Sequence, residues 1–203
     1  MSTSATPHGA VPVGSLVSCA YNAKVTHYKI KSAYGTSIFF GDFVKWGDDN
    51  PNTTIQKDTG TTACTPLGVF LGCAYTDPTT KQFTPNQYFP ASTAASDIVA
   101  YVASDPYLIM QMQCDGAADQ DDLGKNCAIV QTAGSTAIGR SKNSVDISTV
   151  ATTAHYLLRS LILSMVLTVK LVMLTQMYWW YSIHNLLSAQ VGINCLVQLE
   201  SDN

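Results

Sequence analysis

The chain changes character at about Leu157, and any fold assigned to it has to accommodate that break. Upstream, short apolar runs alternate with turn residues in a background rich in Thr, Ser, Ala, Gly and Asp. Downstream, Leu157 to Ile183 reads LLRSLILSMVLTVKLVMLTQMYWWYSI, without Gly, Pro or acid. Of the 13 glycines 12 precede residue 157, and so do all 8 prolines, so the turn-forming chemistry stops there. The sequence divides into an extended N-terminal arm (1–20), a β-rich domain (21–156) and an apolar C-terminal tail (157–203).

Three readings of the tail follow. Leu161 to Ile183 is long enough to span a bilayer, with Tyr178, Trp179, Trp180 and Tyr181 as an interfacial aromatic belt. Lys170 near its middle would cost about 2.5–3.5 kcal/mol there. The second reading is a buried core helix. The third comes from the genetic code: a frame built from the last base of each codon and the first two of the next forces Val, Leu, Val, Val across Met177 to Tyr181. The unforced positions then permit a turn-rich loop followed by a strand, the grammar of the body, so the tail is expected to be the product of a frameshift near Arg159.

The body reads as all-β. Charged residues make up only 12% of the chain, about half the usual share. Glu200 is the single glutamate, and Arg140 and Arg159 are the two arginines, so charged helix formers are scarce while Thr, Val and Tyr abound. The net charge of -3 leaves no basic footprint for nucleic acid. Lys24, Lys29 and Lys31 form the one local basic cluster and are read as a solvated strand face.

Strands are expected at Val25 to Ile30, Thr36 to Phe40, Phe43 to Trp46 and Leu67 to Thr76. In the last of these, Gly68 and Gly72 suggest bulges or close backbone approach. Further strands are expected at Asp97 to Ala103, Tyr107 to Cys114, Cys127 to Gln131 and Val145 to Val150. Alternation in the second of these puts Leu108, Met110 and Met112 on one face. Residues 47 to 62 and 77 to 92 read as polar loops. Such short strands with polar connections predict an antiparallel β-sandwich or barrel. The arm, with Pro7, Gly9, Pro12 and Gly14, is expected to lie outside the packed core.

Chemistry-bearing motifs are sparse. Cys19, Cys64, Cys73, Cys114, Cys127 and Cys195 show no CxxC spacing, and the N-terminus lacks the features of a signal peptide, so the thiols are expected to be reduced and mostly buried. Asp115, Asp119, Asp121 and Asp122 lack EF-hand spacing and are read as loop acids. His8, His27, His155 and His184 fall in no catalytic motif, and GSTAIGR at 134 to 140 is read as a turn. No enzyme activity, cofactor or metal is expected.

Four strings in the body carry a resemblance: GTSIFFGDFVKW (35–46), LGVFLGCAYTDPTTKQFTPNQYFPAST (67–93), DIVAYVASDP (97–106) and GSTAIGRSKNSVDISTVATTA (134–154). In order and spacing they resemble virion structural proteins of tailed double-stranded DNA phages, including marine cyanophage-like ones, over roughly residues 32 to 156. Members of this group resemble capsid decoration (cement) proteins. The resemblance implies a β-rich module on the capsid surface that binds the major capsid protein, in many symmetric copies, with neither nucleic acid nor membrane as partner. Val11, Val13 and Leu16 of the arm are the candidate capsid contacts. The alternatives are a tail or fibre component of the virion, or a membrane-anchored β domain with a C-terminal helix.

Overall fold

A computed structural model describes residues 6–15, 24–48, 53–61, 64–122, 124–152, 158–164 and 171–176. The described chain is all-β, apart from one turn of 3-10 helix at Gln120–Asp122. Its strands are β1 (Val11–Ser15), β2 (Val25–Ile30), β3 (Phe43–Trp46), β4 (Thr54–Lys57), β5 (Gly68–Thr76) and β6 (Phe83–Asn86). They continue with β7 (Val99–Ala103), β8 (Leu108–Gln113), β9 (Asn126–Val130), β10 (Ser144–Ala151), β11 (Leu158–Ser164) and β12 (Leu171–Gln176).

The strands form two sheets. One runs β3-β4-β2-β7-β5-β6, and pairing of β3 with β5 closes five of its strands into a barrel, leaving β6 outside on β5. Closure removes the open edges that a flat sheet would leave. The pairing is antiparallel except between β2 and β4, where Lys29 sits opposite Thr54 in a parallel register, a departure from the purely antiparallel sheet expected. Ile30, Val44, Ile55, Phe70, Cys73, Ala100 and Val102 fill the barrel, joined by Ile38, Phe89 and Ile98 from the connections. Each fully buried side chain of this size contributes about 1.5–3 kcal/mol.

The two glycines of β5 do what their positions imply. Opposite the step from Phe70 to Gly72, β7 advances only from Val102 to Tyr101, so β5 carries a bulge. The extra residue shifts the alternation, and Phe70 and Cys73 therefore face the same interior although they are three apart. At Gly68 a Cβ would come within 2.3 Å of the Ala103 carbonyl oxygen, so the strand crossing leaves room for hydrogen alone.

The second sheet runs β1-β8-β12-β11-β9-β10. A parallel bridge between Cys114 and Val145, with Asp115 N–H donating to the Val145 carbonyl at 2.9 Å, brings β10 back to the end of β8 and curls the sheet. Leu108, Met110 and Met112 share one buried face as the alternation predicts, packed with Cys127, Ile129 and Val145. Phe43, Val69 and Ala103, which belong to barrel strands, pack in the same cluster. The barrel wall thus forms one side of the second core.

Several expectations are corrected here. The polar stretch 47–62 contains β4, which lies between β3 and β2. The loop 77–92 contains β6. Thr36 to Phe40 forms only isolated bridges at Ile38 and Phe40. The N-terminal arm is built into the domain: Ala10 is fully buried, and β1 pairs with β8 from Val11 opposite Gln111 to Ser15 opposite Leu108. Within the span read as a membrane or core helix, residues 158–164 and 171–176 are paired strands instead, β12 lying between β8 and β11. A long apolar run satisfies helix and buried-strand templates alike, and here sheet pairing satisfies the backbone. No helix among the described residues is long and apolar enough to cross a membrane. The aromatic run Tyr178 to Tyr181 and the frame-forced positions 177–181 lie outside the described residues.

Candidate functional site: a buried carboxylate between the sheets

The arm, the barrel and the second sheet meet at Asp42. Residues Phe39 to Asp42 form a tight turn in which Asp42 N–H donates to the Phe39 carbonyl at 3.0 Å. Gly41 takes the positive φ of 87° that the turn needs. This reversal carries Asp42 into the interior, where it is fully buried.

Four donors saturate its carboxylate. Oδ2 accepts from Phe39 N–H at 2.9 Å and from Lys57 Nζ at 2.9 Å. Oδ1 accepts from Ser141 Oγ at 2.7 Å and from Asn143 Nδ2 at 3.2 Å. Lys57 comes from the end of β4, and its side chain is 10% exposed. The partners hold one another in place. Ser141 Oγ also accepts from Asn143 N–H at 3.2 Å, and the Asn143 side-chain carbonyl accepts from Thr132 N–H at 3.0 Å. A buried ion pair adds little net stability, because desolvation offsets attraction, but removing one partner strands the other charge.

The arm seals this cluster. Ala10 N–H donates to the Gly41 carbonyl at 3.0 Å. A Cβ on Gly9 would come within 2.6 Å of Ser141 Cβ and 2.8 Å of the Gly41 oxygen, and Gly9 has a φ of 76°, so glycine alone lets the arm lie this close. Alongside, Phe40 N–H donates to Gly139 O at 3.1 Å and Ser141 N–H to Phe40 O at 2.9 Å, while the Arg140 guanidinium stacks 5.0 Å from the Phe40 ring.

A second buried acid organises the loop after β4. Asp58 accepts from Gly60 N–H at 3.0 Å and Thr65 N–H at 2.8 Å, and Gln131 Nε2 reaches across to the carbonyls of Asp58 and Gly60. Cys64 donates to Gly60 O at 2.7 Å. Burial, helped by Asp58, pushes its thiol up to about 12. Burial likewise raises Cys73 and Cys127 to about 12. Cys64, Cys73, Cys114 and Cys127 are all buried and free of disulfides, as the sequence implied. Cys19 and Cys195 lie outside the described residues.

The residues singled out by sequence do not converge. Val11 is half-buried and Val13 38% exposed on β1, while Leu16 lies outside the described residues. Lys24, Lys29 and Lys31 are exposed. His8 is half-buried, and exposed His27 stacks edge-on to Tyr101. His155 and His184 lie outside the described residues. The loop aspartates are taken up by protein groups: Asp115 accepts from Ile147 N–H of β10, and Asp122 accepts from Asp119 N–H and pairs with Lys125. GSTAIGR is the turn expected, with Gly139 N–H donating to Ser135 O at 2.8 Å. Among the described residues no group of His, Cys, Asp and Glu is arranged to hold a metal.

Sequence reading missed the Asp42 cluster. Gly41-Asp42 falls between two expected strands, where glycine is a turn signal, but nothing in the order of residues announces that Lys57, Ser141 and Asn143 will arrive beside it. The surface carries a few isolated large apolar side chains, chiefly Phe83 (70% exposed), Ile138 (60%), Tyr107 (45%) and Trp46 (43%). No protein-family model, curated protein or solved structure matches the chain.

Proposed function

We propose that the chain is a structural virion protein that decorates a phage capsid by binding its major capsid protein, without enzymatic activity. The observation that carries this reading is where the four resembling strings fall. The strings at 35–46 and 134–154 supply Asp42, Ser141 and Asn143, the joint between the two sheets. Those at 67–93 and 97–106 supply β5, β6 and β7. The resemblance thus follows the elements that make the module rigid rather than any reactive cleft.

A closed barrel fused to a second curled sheet suits a cement role, since a rigid body loses little entropy on docking. Exposed apolar side chains at a strand edge (Phe83), a turn tip (Ile138) and β1 (Val13) offer separate small contacts. Modest contacts suffice when lattice symmetry repeats them. Low charge keeps neighbouring copies from repelling.

The test is cosedimentation of the purified chain with assembled shells of the major capsid protein from the same genome, followed by cryo-EM of the particle. Saturation at a fixed ratio to the capsid lattice is expected. Absence from the shell, or a copy number that follows the tail, overturns the reading.

A further inference from the structure

The groups around Asp42 are those needed to make a covalent bond. Lys57 carries an amine, Asn143 a carboxamide, and the two nitrogens are bound to opposite oxygens of the one carboxylate, at 2.9 and 3.2 Å. The Asn143 carbonyl oxygen receives Thr132 N–H at 3.0 Å, a donor placed where negative charge would develop on that oxygen. Asp42, Ser141 and Asn143 are fully buried and Gly9–Ala10 cover them, which keeps competing water away. From these positions we propose that Lys57 and Asn143 condense into an intramolecular isopeptide bond, with Asp42 as the proton carrier. This does not depend on the virion reading.

The step balances without any outside reagent. The Lys57 ammonium passes a proton along its hydrogen bond to Asp42, leaving a neutral amine. The amine lone pair attacks Asn143 Cγ, the new C–N bond forms, and the carbonyl electrons move onto Oδ1 beside Thr132 N–H. Asp42 delivers its proton to Nδ2 and takes the remaining surplus proton from Nζ. The C–Nδ2 bond breaks, and ammonia leaves with the bonding pair. The net change is amine plus primary amide giving secondary amide plus ammonia. Asp42 is the poorer electrophile, because its carboxylate is anionic and already accepts four hydrogen bonds.

The product would tie the end of β4 in the barrel to the segment entering β10 in the second sheet. Such a link restricts the unfolded chain as a disulfide does.

Intact-mass measurement of the purified full-length protein, with tandem mass spectrometry of its digest, tests this directly. The wild type is expected to be lighter than its sequence by one ammonia, with a branched peptide joining Lys57 to residue 143. Lys57→Arg keeps the ion pair and should show the unshifted mass. Asn143→Asp should lose water instead and reach the same final mass as the wild type. An unshifted mass in folded wild type, ammonia loss without the branched peptide, or loss of water with the branch at Asp42 would each overturn the proposal.

Discussion

The barrel and the second sheet are built from the chain in different ways. All six strands of the barrel sheet come from one continuous stretch, Val25 to Ala103. The second sheet is assembled from the arm (β1), the middle (β8, β9, β10) and the tail (β11, β12). The first unit closes on itself through β3 and β5; the second borrows Phe43, Val69 and Ala103 from the barrel wall to complete its core. Local assembly makes a unit that can hold alone, whereas the composite sheet depends on distant segments arriving.

Removing residues 157–203 breaks that comparison hardest. It takes β11 and β12 from the middle of the second sheet and leaves the facing edges of β8 and β9 unpaired. Hydrogen exchange should show protection retained in β2 to β7 and lost in β8 to β10. Uniform loss would mean that the barrel does not stand by itself. A digest of the full chain also decides the reading frame, since a peptide containing Trp179-Trp180 shows that the chain is made in the frame given.

Asp42→Ala comes next. It leaves the mostly enclosed Lys57 ammonium without its partner and removes the acceptor shared by Ser141 and Asn143. A loss of about 3–5 kcal/mol is expected. Denaturant unfolding should also lose its single transition, because this joint couples the two units.

How much of this was legible in the sequence depends on whether the cause is local. Gly68 and Gly72 announced close approach and a bulge, because glycine in a strand has few other uses. Leu108, Met110 and Met112 announced a buried face by alternation. β4 was invisible: its four residues, Thr-Ile-Gln-Lys, place only Ile55 in the barrel core, and they sit among Gly, Asn and Asp. β6 was hidden by Pro85, which a strand at the edge of a sheet tolerates. The tail misled because length and apolarity fit a helix as well as two strands. The Asp42 cluster joins residues 99 and 101 positions apart, so no local pattern could show it.

Gly68→Ala strikes the barrel wall first. Its Cβ would meet the Ala103 carbonyl, which is backbone and cannot swing away. Overpacking of this kind costs about 1–3 kcal/mol. The lost stability should appear in β5 and β7 exchange before it reaches β9.

Alkaline pH sharpens the comparison from both sides. Cys73 lies in the barrel core and Cys127 in the second, and burial raises each thiol from 9.0 to about 12. A raised folded value means that the native state holds the proton after the unfolded chain has released it. The stabilisation is therefore fully present below about pH 9 and is lost as pH climbs toward 12. Urea midpoints measured across that window should fall, and Cys73→Ala and Cys127→Ala should each flatten part of the slope. A slope unchanged in both variants would place its origin elsewhere.

Phe83→Ser and Ile138→Ser should change stability least, within about 0.5 kcal/mol, because both side chains already face solvent. They nevertheless separate the two units in function. Phe83 stands on β6, the strand outside the closed barrel, and Ile138 caps the turn that leads into the Asp42 joint and β10. If the proposed docking to capsid shells takes place and uses the barrel side, Phe83→Ser weakens it and Ile138→Ser leaves it intact. The reverse assigns docking to the second sheet. Equal, undiminished binding by both variants excludes either side chain as a contact, and leaves β1, with Val13 exposed along the far edge of the composite sheet, as the surface to change next.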